Sequence, residues 1–289
     1  MSSTTSSIRA SVRVNRKALH FARRYPLVII GVVVVAFWVL AAIFAPQIAP
    51  YAPLAQDIPN RIAPPSELHP WGTDELGRDV FSRVVYGGRI TIPAGILVIV
   101  IGSVIGITVG AIAGFVGGVW DEALMRLAEL FMAFPTIILA MAVTAALGPD
   151  MRNAIIALVV VWWPPYARLM RGIVLSLKSK EFIEAARCIG ASDRYILWRV
   201  ILPNGIAPAI VMTTVDIGNA ILTFAGLSFL GLGAEPTSPE WGRMVSAGID
   251  LFDQWWTWLF PGLAISTLVI AFNFIGDGLR DLNDPRMRR

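Results

Sequence analysis

The stretch SKEFIEAARCIGASDRYILWRVILPN (Ser179–Asn204) carries seven charged residues between two long apolar runs. Phe182, Ala185, Ala186 and Ile189 fall at i, i+3, i+4 and i+7, the spacing of one stripe on a short helix. Lys180, Glu181, Glu184 and Arg187 occupy the other faces. Gly190 suits a left-handed C-terminal cap, Ser192 can cap a second short helix, and Pro203 is expected to stop it. Three readings compete for such a segment: an amphipathic loop on a membrane surface, a helix-turn-helix DNA reader, and a docking element for a partner protein. A loop tethered between two membrane spans has little room to enter a major groove. Nucleic acid is therefore not expected as a partner.

Composition supports the membrane setting. Of 289 residues, 56% are hydrophobic and 15% charged, and the mean hydropathy is +0.66. A soluble domain carries about a quarter charged residues. A single cysteine, Cys188, excludes an internal disulfide framework. With only His20 and His69 beside it, no metal site is expected. Residues 1–26 form a basic tail with Arg9, Arg13, Arg16, Lys17, Arg23 and Arg24 and no acid. The uncharged run LVIIGVVVVAFWVLAAIF (Leu27–Phe44) follows. It is longer than the apolar core of a cleaved signal peptide and close to the hydrocarbon thickness of a bilayer, so it reads as an uncleaved anchor.

Five further apolar segments, Thr91–Gly117, Leu127–Leu147, Ala154–Leu175, Ile206–Gly233 and Leu259–Phe274, bring the expected number of spans to six. The second span holds Gly102, Gly106, Gly110 and Gly114, with Gly118 just beyond. A glycine every four residues makes a ridge that another helix can approach closely. Pro164 and Pro165 are expected to kink or end the fourth span. With both termini inside, eighteen basic residues lie on the inner side and six on the outer. The positive-inside rule therefore favours N-in and C-in, which makes the quoted stretch cytoplasmic. The chain divides into the tail, the anchor 27–44, an extracytoplasmic loop 45–90, a five-helix core 91–280 that includes the cytoplasmic loop 176–204, and a C-terminal tail 281–289.

Glu184-Ala185-Ala186, three residues, Gly190, then Leu202-Pro203 resembles the EAA loop of ATP-binding-cassette importer permeases. Val200 stands where that pattern usually has isoleucine and peptide-transporter relatives often have histidine. HPWGTDELGRDVFSRVVYGGRIT (His69–Thr91), LSFLGLGAEPTSPEWGRM (Leu227–Met244) and NFIGDGLRDLNDPR (Asn273–Arg286) resemble signatures of the C-type subunits of dipeptide, oligopeptide and nickel permeases. Asn283 replaces a residue that is commonly leucine. Four motifs in order over residues 25–289 imply an all-helical, six-span permease of the type I importer fold. They also imply a second, different permease, two cytoplasmic ATP-binding subunits that hold ATP and Mg, and an external solute-binding protein. In this resemblance Glu184, Ala185, Ala186, Gly190, Leu202 and Pro203 form the element on which the ATPase acts.

The chain has no G-x-x-x-x-G-K-[ST] and no Gly-Lys pair, so no cofactor and no ATP are expected on it. Gly226–Gly231 (GLSFLG) misses a nucleophile elbow by one residue, and Asp277–Asp284 (DGLRDLND) lacks the spacing of a calcium loop, so an enzyme reading fails. In the outer GTDELGRD segment, Thr73 is a candidate helix cap. Asp74 and Arg78, at i and i+4, can support a local helix. Together with Asp79 they are candidates either to receive the binding protein or to scaffold the loop. Asp216 lies inside an apolar span, where a carboxylate faces a cavity or a partner. Thr213 and Asn219 share its face, so the three either line the path or bond helix to helix. Phe224 stands where some relatives carry an acid. Cargo is expected to be di- or oligopeptides; nickel complexes, glutathione or short sugars are the alternatives within the same machine. An ion-driven secondary transporter is the alternative of another class.

Overall fold

The computed structural model describes residues 25–283. The basic tail and Arg286, Arg288 and Arg289 lie outside the described residues. Within them the chain is helical, with one isolated bridge between Thr73 and Asp79 and no strand.

Helix α1 (Pro26–Ile43) opens on a proline, whose missing N–H costs nothing in a first turn. It buries only Gly31, Trp38, Ala41 and Ala42, and exposes Val33 and Phe37 as a lipid-facing helix should. Helix α2 runs Val80–Val116, 37 residues. At about 1.5 Å per residue that is roughly 55 Å, beyond a bilayer core of about 30 Å. Its first turns therefore replace what was expected to be loop up to residue 90.

The expected third span, Leu127–Leu147, is not one helix. Helix α3 (Gly118–Met132) and helix α4 (Thr136–Leu147) meet at 92°. The break precedes Pro135, which disfavours helical backbone at the residue before it. Among the described residues there are thus five helices long and apolar enough to cross a membrane, or six if the bent pair is one span.

Helix α5 (Met151–Lys178) passes through Pro164 and Pro165 without ending. Along this length α5 packs closely against α2. Gly102 faces Trp162, Gly106 faces Trp163 and Tyr166, Gly110 faces Ala167, and Gly114 faces Arg171 and Val174. A Cβ added at Gly110 would stand 2.8 Å from the Ala167 Cα. The ridge ends at Gly114: Gly118 has no neighbour within 4 Å and serves the turn into α3.

After the short helix α6 (Glu181–Cys188), helix α7 (Ala207–Phe229) crosses back. Helix α8 (Trp241–Ile249) packs against α7 and α9, and helix α9 (Trp256–Asn283) returns between α1 and α7. Gly31 meets the Ala271 carbonyl of α9, and Gly276 of α9 meets Val215 of α7. Trp38 donates from Nε1 to the Thr267 hydroxyl at 3.0 Å and stands edge-on to Trp241.

Gly110→Val should cost about 1–3 kcal/mol through overpacking. The measurement is the thermal unfolding midpoint in detergent. Gly172→Ala is the control: it sits in the same α5 but meets nothing within 4 Å, and should leave the midpoint unchanged or raised.

Candidate functional site

One end of the bundle, expected to be the inner one, is built around α6. Its C-terminus closes as a Schellman motif: Gly190 N–H donates to Arg187 O at 2.9 Å and Ala191 N–H to Ala186 O at 3.0 Å. That closure needs a left-handed residue, and Gly190 has φ +81°. The Ser192 side chain accepts from Tyr195 N–H at 3.3 Å, as a cap should. Beyond it the helix widens to a π register over Ile196–Ile201 and continues as Leu202–Gly205. Pro203 therefore does not stop the second helix. It falls in the opening turn of the Leu202–Gly205 piece, where a missing N–H is tolerated, behind a widened turn.

One residue roots α6 that the stripe did not include. Ile183 is fully buried in a cluster with Phe115, Val174, Ile196 and Ile201. Phe182, Ala185 and Ile189 point away from it, and Ile189 is 86% exposed. Glu184 is exposed too, while Ala186 is half-buried against the cluster and Val200 packs there. The signal for Ile183 was its offset from the stripe, which a period count of apolar residues cannot assign to inside or outside. Below α6 the helices are tied by charge. Arg171 of α5 forms a bidentate pair with Asp121 of α3 at 2.6 and 2.7 Å. Lys178 donates to the Phe115 carbonyl at 2.5 Å.

In the middle, Asp216 accepts from the Tyr166 hydroxyl at 2.9 Å and from Asn219 Nδ2 at 3.3 Å. Thr213 donates to the Ala209 carbonyl at 2.8 Å and also faces the Tyr166 hydroxyl. The three residues thus meet through Tyr166, which sequence reasoning missed. Asp216 also lines a cavity of about 670 Å³ between α5, α7 and α9. Phe224 is fully buried in the core.

At the opposite end, expected to be the outer one, the four candidates are interior. Thr73, Asp74, Arg78 and Asp79 are all buried, so a receiving role for these side chains gives way to the scaffold reading. Thr73 caps no helix; its hydroxyl donates to Asn60 O at 2.6 Å and accepts from Ala63 N–H. Asp79 is the cap. It starts α2 by accepting from Ser82 N–H at 2.7 Å and lies 2.9 Å from His69 Nδ1. Asp74 and Arg78 do pair, at 2.7 Å, but across a turn and not along a helix. Arg83 adds to Asp74 at 3.4 Å and donates to Pro53 O and Ser238 O, both at 3.1 Å. Glu75 nearby is pushed up, first by burial and then by the charge of Asp74, against the pull of Arg78 and Arg83. Glu240, fully buried, accepts from Thr91, Gly242 N–H and Arg243 N–H. Burial raises its pKa and these donors oppose the rise. Leu54, Leu68 and Phe252 are among the apolar side chains this end exposes.

No cluster of histidine, cysteine or carboxylate that could hold a metal is found among the described residues. Residues 106–289 match the family described as binding-protein-dependent transport system inner membrane component. The chain belongs to that family. Residues 16–65 match the N-terminal transmembrane domain of oligopeptide transport permease C. The dipeptide transport system permease protein DppC of Alkalihalophilus pseudofirmus is 42% identical over 274 residues, covering 94% of this chain and 90% of the relative. The probable D,D-dipeptide transport system permease protein DdpC of Escherichia coli is 41% identical, covering 99% and 97%. The glutathione transport system permease protein GsiD, also of Escherichia coli, is 46% identical, covering 92% and 88%. The solved MetNI methionine ABC transporter, in inward-facing conformations, matches 70% of this chain and 97% of that chain at a TM-score of 0.58 and 20% identity, which shows the fold. This is a multi-pass inner-membrane permease and not an enzyme; ATP hydrolysis belongs to the subunits with which such permeases work.

Asp79→Ala removes the α2 cap and leaves His69 without its carboxylate. A loss of about 1–2 kcal/mol is expected, read as a lower unfolding midpoint of the purified permease. Asp79→Asn, which keeps a capping oxygen, should recover most of it.

Proposed function

We propose that this permease subunit imports di- or oligopeptides and that α6 is the element through which ATP-driven motion enters it. The observation that carries the coupling assignment is the helix itself. It is rooted by the buried Ile183 with Ala186 half-buried beside it, closed by a left-handed glycine, and turns Phe182, Ala185 and Ile189 outward. A helix that leaves a large apolar side chain 86% exposed beside an acid, Glu184, is built to be covered. Close docking follows from Ala185 and Ala186, and Glu184 can meet a basic group. Leu202 and Pro203 continue the inner edge towards α7. Peptide cargo follows from relatives of more than 40% identity named for dipeptide and glutathione transport.

In this proposal the chain spans the membrane six times with both termini inside, α3 and α4 making one broken span. The basic residues, eighteen inner against six outer, support that orientation. The chain pairs with a second, different permease and with two ATPases that hold ATP and Mg, and holds no cofactor itself. An external binding protein delivers cargo to the outer face. Alternating access is then rigid-body motion around a path near Thr213, Asp216 and Asn219.

The test is uptake of a labelled dipeptide by a strain lacking the gene, with wild type or variants restored. Wild type should recover uptake. Gly190→Pro, which forbids φ +81°, and Ile189→Asp should drop it to the deletion level and lose the copurifying ATPase while the permease still reaches the membrane. Recovery of uptake without any ATPase would return the ion-driven reading. Unchanged uptake on deletion, in a strain with no redundant transporter, would remove dipeptides as cargo.

A further inference from the structure

The cavity between α5, α7 and α9 is lined mainly by apolar side chains, Leu169, Met212 and Val215 among them, and by three charged ones, Asp216, Asp277 and Arg280. The charges are unspent: Asp216 is half-buried, and Asp277 and Arg280 are exposed where they line the cavity. Asp216 takes hydrogen bonds from two neutral donors, Tyr166 and Asn219, and no cation pairs with it among the described residues. Asp277 and Arg280 make no ion pair or hydrogen bond there either, not even with each other one turn apart. A carboxylate within a membrane span that has no cation of its own calls for one from elsewhere.

The charges are also arranged by sign along the helix axes. Gly276 packs on Val215, which puts Asp277 and Asp216, their chain neighbours, near one level of the cavity. Arg280 follows Asp277 by three residues on α9, nearly one turn or about 4.5 Å nearer the helix C-terminus. Two residues of extended peptide span about 7 Å. A volume of about 670 Å³ falls in the usual range of small-molecule sites.

We propose that this cavity is a subsite for a zwitterionic dipeptide, with its ammonium at Asp216 and Asp277, its carboxylate at Arg280, and its side chains against the apolar lining. The proposal rests on the peptide reading above and adds to it a place where both charged ends of the cargo are recognised together. Either end alone would leave one charge of the cavity unanswered. The subsite therefore selects short peptides with both termini free.

The experiment uses the complete importer in nanodiscs without its binding protein, with equilibrium binding of a labelled apolar dipeptide, its N-acetyl form and its C-terminal amide. Wild type should bind the free dipeptide about tenfold tighter than either blocked form, the size of one charge-assisted hydrogen bond. Arg280→Gln should abolish the preference over the amide and keep the preference over the N-acetyl form. Asp216→Asn should do the reverse, and Asp277→Asn tests the same end without touching the Tyr166 contact. Variants that retain both preferences, or a wild type that binds blocked and free peptides alike or binds none, would overturn the subsite. Uptake by intact cells, run in parallel, separates the two claims. Uptake with no end-dependent binding sinks the subsite alone, whereas absence of both sinks the peptide reading with it.

Discussion

Everything at the inner end hangs on the contact of four glycines of α2 with the backbone of α5. Lipid tails are as apolar as the side chains they meet, so helices in a bilayer gain little from burying leucine against leucine. What remains is close contact, and Gly102, Gly106, Gly110 and Gly114 give it by letting the α5 backbone reach the α2 surface. Over those turns α2 and α5 behave as one body. The same body carries α6, because α5 runs into it after two residues and Lys178 ties the end of α5 to the last turn of α2. Force applied to Ile189 or Phe182 has a stiff element to act on.

The outer end is held by a different physics. Asp74, Arg78, Arg83, Asp79 and Glu240 are all buried, and a buried charge is tolerable only when paired and hydrogen-bonded. Each of them is. Between them they join the loop after α1, the start of α2, the segment before α8 and, through Trp256 donating to Thr73 O at 3.1 Å, the start of α9. Breaking one partner strands another, so this end is a fixed platform. The chain thus has a locked outer end and an inner end that presents a single short helix on a narrow root.

The sequence made some of this legible and concealed the rest for identifiable reasons. The glycine ridge was legible because a four-residue period has one structural meaning on a helix. So were Gly190 and Ser192, since local chemistry decides a cap. The start of α2 was hidden by Arg83 and Arg89, which lower the apolar signal of its first turns; Arg83 is tolerated because distant carbonyls at Pro53 and Ser238 accept from it. Thr73 and Asp79 are both capping residue types, and only the tertiary partners Asn60 and His69 separate their roles. Pro164 and Pro203 failed as breakers: α5 runs on past the one while packed on α2, and a π turn precedes the other. Tyr166 looked like one aromatic among several, and its bond to Asp216 crosses fifty positions of sequence.

That bond connects the two halves of the mechanism. Tyr166 stands on Gly106, within the body that carries α6, and its hydroxyl reaches Asp216 on α7. A hydrogen bond of this kind contributes about 1 kcal/mol net, far too little to resist an ATPase. Its geometry is demanding all the same: an O–H···O contact is lost beyond roughly 3.5 Å. Sliding α5 against α7 by a fraction of a helical turn would therefore break this bond and leave Asp216, which already lines the cavity, free for another partner. On the proposed coupling, motion delivered at Ile189 would reach Asp216 through three contacts, α6 to α5, α5 to Tyr166, and Tyr166 to Asp216, and none of them requires the opposite platform to move.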